Sequence, residues 1–362
     1  MIRYPRLLTI VFVVVCCAVL PSLTGGEGTG SAPVMYRQTL TLIDDPSPIL
    51  ADYPHYIEPL VSETRYLAPA VVNDDNGALM VRSWRYSYAA RGIIEMENRL
   101  DPKATALVNV HPWGCDDGHG LKTPEPNGVV LFCTPEKNDV AFRHTMDVIN
   151  PFMKELRPHI GVVAHSLPGI EDPIRKKLYP SISTSIVELD VAEGEKQLAG
   201  VLDAFPFRGQ PLIPEIQLSP LLPVPDYFRQ TVPIDAGDYY NGPGYWDLPM
   251  PLLTGLDFGT GDVVVYDDEG YDKVRDYLKS MGIRHILMTG HLTDVCVTHT
   301  TCGFLAMSRD FNVFLVGDAT LAAFPASSTP RYAAQAALAD AALNQMITQI
   351  SWVRLSEAGG GR

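Results

Sequence analysis

The 362 residues carry 28 Lys and Arg against 42 Asp and Glu, a formal net charge of −14, and the longest basic run is only Arg175-Lys176-Lys177. Phosphate recognition depends on clustered cations, so nucleic acid is not an expected partner. With 46% hydrophobic and 19% charged residues, disorder is not the default, and the chain is long enough to bury a large core.

The chain opens on a targeting pattern. Arg3 and Arg6 precede an apolar run from Leu7 to Leu20, and small or turn-forming residues follow from Pro21 to Gly30. Residues 1–26 are therefore expected to be a signal peptide, giving a secreted or periplasmic protein. An uncleaved N-terminal anchor is the alternative, and the run is short for a full span. Membrane contact is expected through such an anchor alone. Val13-Val14-Val15 ahead of Cys16 is bulkier than a lipidation signal wants. Of the 6 cysteines, Cys115, Cys133, Cys296 and Cys302 lie outside this segment. A Cys115–Cys133 disulfide suits an oxidising compartment, with two free buried thiols as an equal alternative.

Residues 31–100 read as a small antiparallel, β-rich extension. Alternation runs through Arg37 to Leu42, Leu79 to Tyr86 and Gly92 to Met96, with Asn73-Asp74-Asp75-Asn76-Gly77 as a turn cluster. It could be a packing appendage, a lid or an oligomer contact. Trp84, Tyr86 and Tyr88 share one face, which suits a packed core face better than a ring-binding platform.

From residue 101 to 357 strands and helices alternate. Thr105 to Val110 suits a buried parallel strand, Met146 to Leu156 a helix, Ile160 to Ala164 a strand and Gly270 to Met281 a helix. His285 to Thr289 suits a strand, as does Asn312 to Val316. Pro330 opens an Ala-rich helix to about Ile350, and Trp352 to Leu355 suits a final strand. This rhythm predicts an α/β fold, a parallel sheet with helices on both faces. Ligands in such sheets bind at the carboxyl ends of the strands, where Cys296, His165 and the segment after Val110 would converge. The Pro- and aromatic-rich segment from Leu167 to Leu256, with Tyr239, Tyr240, Tyr245 and Trp246, is expected to shape a substrate pocket or an oligomer contact.

The chemistry is expected between Arg284 and Thr320. A strand closed by Gly290 runs into the turn His291-Leu292-Thr293-Asp294, and a helical pattern follows through Val297, Phe304, Leu305 and Met307. Cys296 falls at the junction, where unpaired N–H groups and the helix dipole favour the thiolate. The string Gly290-x-x-Thr293-Asp294-x-Cys296-Val297-x-x-Thr300, followed by Phe311-Asn312-Val313 and Val316-Gly317-Asp318-Ala319, resembles the nucleophile segment of the isochorismatase-like cysteine hydrolases. That family includes nicotinamidases, N-carbamoyl amidohydrolases and isochorismatase itself. The resemblance implies a three-layer, Rossmann-like fold, a structural role for Asp318, a cis peptide bond ahead of the nucleophile at Asp294-Val295, and homo-oligomers.

Family members pair the cysteine with an aspartate at the end of the first strand and a lysine at the end of a later one. This sequence departs from both. Asn109 in Leu107-Val108-Asn109-Val110-His111 stands at the aspartate position, and an amide cannot take a proton at neutral pH. No lysine ends the strand Asp262 to Glu269; Tyr266 or Asp267 stands nearest, while Lys273 and Lys279 lie in the following helix, where a solvated role is natural. His111 or Asp116 could serve instead as base, with strand capping and solvated turns as the alternative. Catalytic candidates are therefore Cys296, Asn109, His111 and Asp267. Val295, Asp294 and His165 are candidates for substrate or oxyanion contact.

Two function classes follow. One is an exported hydrolase in which the Cys296 thiolate attacks a small amide or related C–N substrate and needs no cofactor. The other is a binding protein on the same scaffold that has lost catalysis. A weaker third reading places a metal on His111, Asp116, Asp117 and His119, with His165.

Overall fold

The structure, a computed structural model, describes residues 34–112, 135–183, 189–206, 215–227, 244, 247–323 and 338–356. The chain divides into two units, residues 1–37 and 38–362. Residues 34–37 are exposed and without regular structure. Everything below concerns the second unit.

Its described strands form one sheet centred on β5 (Thr105–Val110), all six of whose residues are buried. An unbroken run of small and branched apolar side chains is what a strand covered on both faces requires. β5 pairs in parallel with β6 (Val162–Leu167) and β8 (His285–His291). β7 (Val263–Tyr266) lies beyond β6, while β9 (Asn312–Leu321) and β10 (Met346–Thr348) lie beyond β8, all parallel. Residues paired across parallel strands share a face. Asn109, His165 and Thr289 therefore point one way and Val110, Ser166 and Gly290 the other.

The first face is covered by a helical stretch made of α1 (Pro135–His144), a π turn (Thr145–Ile149) and α2 (Asn150–Leu156); Met153 of α2 touches Asn109. After β6 come the short α3 (Arg175–Leu178) and α4 (Val191–Ala204), then α5 (Tyr271–Ser280) before β8. α6 (Cys296–His299) and α7 (Phe304–Met307) follow β8, and Cys302 between them meets Ser166 on the second face. The fold is thus the α/β, three-layer arrangement expected.

The β-rich stretch adds to this sheet. β1 (Thr41–Leu42), β2 (Arg65–Ala68), β3 (Leu79–Ser87) and β4 (Gly92–Leu100) join through β3, which pairs antiparallel with β10 and with β11 (Val353–Leu355). Its pairing is mixed, because β2 and β4 run parallel. Leu79, Val81, Trp84 and Leu100 sit in the same hydrophobic cluster as Leu107, Met288 and Leu315. Of the expected aromatic face only Trp84, 2% exposed, is core; Tyr86 is half-buried and Tyr88 is 74% exposed.

Several elements differ from expectation. The helix after the nucleophile is broken in two: Thr300 leaves the helical backbone at ψ 177°, and its hydroxyl donates to the Cys296 carbonyl at 2.8 Å. The last helix ends before Met346 rather than near Ile350, because residues 346–348 pair with β9; its expected start at Pro330 lies outside the described residues. The chain ahead of the nucleophile has its cis bond at His291–Leu292, not at Asp294–Val295. Among the described residues no helix is long and apolar enough to cross a membrane.

Candidate active site

Gly290 decides how the site is built. Its φ is +116°, and a Cβ there would lie 1.9 Å from the Val110 carbonyl oxygen. Only glycine permits that approach, which keeps β8 against β5 to their ends and brings the turn carrying Cys296 beside His111. The β8–β9 register slips at this level, from Met288↔Leu315 to Gly290↔Thr320. A bulge of this kind beside a site re-aims the residues after it.

His111 follows β5 with φ +38°, a left-handed value uncommon for a non-glycine residue. Strand alternation alone would leave it on the Asn109 side. This conformation instead puts its Nε2 3.0 Å from Asp267 Oδ2, an ion-pair distance whose alignment falls short of a hydrogen bond. The Cys296 side chain is the other group acting on the ring. The ring is buried, 5% exposed. Burial works against its positive charge, but Asp267 and the Cys296 sulfur outweigh it and raise its pKa to about 10. The structure thus gathers Cys296, His111 and Asp267 from the ends of three elements.

Asp267 is fixed from two more directions. Ser166 Oγ donates to its Oδ1 at 3.1 Å and Thr301 Oγ1 to its main-chain oxygen at 2.5 Å. Around the nucleophile, the Val295 N–H is committed to the Leu292 carbonyl at 3.1 Å. The Cys296 N–H, by contrast, makes no backbone hydrogen bond among the described residues and is the one of the two free to meet an oxyanion. Asp294 uses Oδ1 to accept the Ala323 N–H at 2.7 Å, tying the turn to the chain leaving β9. Because α6 has four residues, little macrodipole acts on the sulfur; the imidazolium and individual N–H groups take that role.

Asn109 and His165 lie elsewhere, in a buried network on the α2 face. Asn109 Oδ1 accepts from Thr289 Oγ1 at 3.1 Å, and its Nδ2 faces His165 Nδ1 at 3.4 Å and Met153 Sδ at 3.5 Å. His165 Nε2 reaches Asp262 Oδ2 at 3.0 Å, and Arg157 donates to the same carboxylate. Burial alone would raise the Asp262 pKa, yet His165, Arg157 and the Gly259 N–H hold it below the usual carboxylate range. With its amide spent in this way, Asn109 lies in a network apart from Asp267 and His111.

A second polar cluster escaped the sequence reading. His144 Nε2 lies 2.8 Å from the Asp318 main-chain carbonyl, and its Nδ1 lies 3.0 Å from His291 Nε2. A carbonyl only accepts, so His144 carries its proton on Nε2 and accepts on Nδ1, and His291 carries its own on Nε2. Burial drives His144 down to about 4 and His291 well below its ordinary value, and buried Lys137 adds to both effects. Burial likewise pushes the Asp318 carboxyl up to about 7 despite the N–H of Ile350, 2.9 Å from Oδ1. Asp318 thereby ties β9 to the turn after β10. The only sequence signal for this cluster was a histidine inside the nucleophile turn.

Cys296 and Cys302 are free thiols. The expected Cys115–Cys133 bridge, Asp116, Asp117 and His119 lie outside the described residues, as do Tyr239, Tyr240, Tyr245 and Trp246. Among the described residues no group of three or more His, Cys, Asp or Glu could hold a metal.

The parallel strands thus carry Cys296 at a strand–turn–helix junction, with His111 and Asp267 at the neighbouring strand ends, in an α/β fold. Residues 268–353, the stretch that carries this turn, match the isochorismatase domain family. Similar solved structures include a cysteine hydrolase from Pseudomonas syringae pv. phaseolicola 1448A, 14% identical, covering 70% of this chain and 91% of that one with a TM-score of 0.36. Another is an isochorismatase family protein from Desulfovibrio vulgaris subsp. vulgaris str. Hildenborough, 14% identical over 68% and 95% of the two chains, with a TM-score of 0.35. A nicotinamidase from Bacillus subtilis is 15% identical over 68% and 99%, with a TM-score of 0.32. No match was found among curated proteins.

Proposed function

We propose that this chain is an exported cysteine hydrolase acting on a small-molecule amide or related C–N substrate, with His111 and Asp267 in place of the aspartate and lysine of its relatives. The observation that carries the reading is the placement of one buried imidazole between Cys296 and Asp267. An imidazolium held by a carboxylate is a cation beside sulfur, which is what a thiolate needs, and it is also a proton source. Attack by the Cys296 sulfur on the substrate carbonyl forms a C–S bond, and the oxyanion meets the Cys296 N–H. The C–N bond breaks as the leaving nitrogen takes the His111 proton. His111, now neutral, removes a proton from water. That water's oxygen attacks the thioester, the C–S bond breaks, and the thiolate and imidazolium are restored.

The first experiment needs no substrate. The rate of iodoacetamide alkylation at Cys296 is followed across pH by peptide mass spectrometry, and a plateau reached below neutral pH is expected. A screen of small amides with Cys296→Ser as control then follows. A rate that rises only in the alkaline range where ordinary thiols react, about pH 8.5, would leave the turn as scaffold and favour the binding-protein alternative.

A further inference from the structure

We propose that Ser166 is the positioning residue of this site, holding the Asp267 carboxylate with its hydroxyl and the His111 backbone with its carbonyl. The inference rests on the Cys296–His111–Asp267 reading and adds a residue that no sequence signal picked out.

Ser166 is fully buried near the carboxyl end of β6, between the strands that carry His111 and Asp267. Its Oγ donates to Asp267 Oδ1 at 3.1 Å, which leaves Oδ2 for His111 Nε2 at 3.0 Å. Its main-chain oxygen accepts the His111 N–H at 3.3 Å. One residue thus fixes the carboxylate's rotation and the left-handed backbone that aims the imidazole.

A hydroxyl can donate only one hydrogen, so its direction must itself be settled. A carboxylate oxygen only accepts, so the hydroxyl's hydrogen points at Asp267. Of the other charged groups of this turn, Asp268 is exposed, while Glu269 is engaged by the Ser183 hydroxyl and faces the Tyr266 N–H, so it does not compete for Ser166. The Asp267 and Glu269 charges also reach the buried Cys302 thiol and add to the rise in its pKa.

The test compares the pH profile of Cys296 alkylation in the full-length protein, wild type against Ser166→Ala, Ser166→Thr and Asp267→Asn. Ser166→Ala should shift the rise in rate upward by about one pH unit, so that alkylation near neutral pH falls about tenfold while the alkaline rate is unchanged. Ser166→Thr, which keeps the hydroxyl, should restore the wild-type profile. A merely structural serine would change the melting temperature without moving the profile. If Asp267→Asn shifts the profile and Ser166→Ala does not, the positioning role is overturned and the three-residue set stands. If neither shifts it, the set itself is wrong. Should Ser166→Ala fail to fold, Ser166→Cys, a weaker donor of similar size, is read by the same criteria.

Discussion

At the scale of single residues, a buried histidine beside Asp267 and Cys296 decides what pH does to the site. A histidine whose folded pKa is raised to about 10 contributes stability that is fully present below its unfolded value of about 6.5 and is lost as pH rises through 10. His111→Asn should remove this alkaline loss and also slow Cys296 alkylation near neutral pH by tenfold or more, since the thiolate loses its cation. Equal profiles in the two proteins would separate His111 from the sulfur. Asn109 gives the complementary case. Its Nδ2 donates toward His165 Nδ1, a nitrogen left bare because Nε2 serves Asp262. Asn109→Asp sets a carboxylate against that lone pair and the Met153 sulfur. The expected result is a destabilisation of roughly 1–3 kcal/mol in thermal or urea unfolding and no gain in Cys296 reactivity; a gain in reactivity would show that position 109 faces the chemistry after all.

Among elements, the β8 turn is the most constrained, and two predictions belong to it. Gly290→Ala places a methyl group against the Val110 carbonyl at a φ that L-residues avoid. It should cost about 3 kcal/mol or more and detach β8 from β5, which loss of Cys296 protection and a lowered melting temperature would register. The His144–His291 pair sets the acid limit. Both imidazoles are held neutral, and His144 at about 4 lies below its unfolded value, so its contribution is present above pH 6.5 and disappears as pH falls toward 4. The loss is roughly 3 kcal/mol for His144 alone, and His144→Gln should flatten the acid side of the stability profile. How far such features are legible in sequence follows from their range. β5, α5 and the nucleophile turn were readable because Thr105 to Val110, Tyr271 to Ser280 and Gly290 to Thr300 declare themselves locally, by periodicity or fixed spacing. The two short helices were not, since Thr300 ends the first through its own hydroxyl. Ser166 and His144 were illegible because their partners, Asp267 and the Asp318 carbonyl, are brought to them only by strand order.

In the molecule as a whole, the β-rich stretch decides whether the site has a scaffold at all. A hydrolase core able to fold alone would keep β10 as an edge strand and close its hydrophobic cluster without help. Here β3 covers β10 through Ile347↔Trp84 and β11 through Val353↔Val81. Buried Glu95 on β4 pairs with Arg65 of β2 and Arg82 of β3, and the Arg82 guanidinium lies 4.3 Å from the Trp352 ring centre. Chain beginning and chain end are therefore clamped across the same buried carboxylate. Removing one member of a buried charge pair leaves the others uncompensated and costs about 3–5 kcal/mol, so Glu95→Ala should lower the melting temperature while unfolding stays a single transition by both circular dichroism and Cys296 alkylation. Deleting residues 38–100 should go further. It exposes Leu107's cluster mates on β9 and β10, strips two pairing edges and leaves no folded protein to titrate. A truncated chain with a cooperative transition and a reactive Cys296 would instead make those strands an appendage, and the molecule two folding units rather than one.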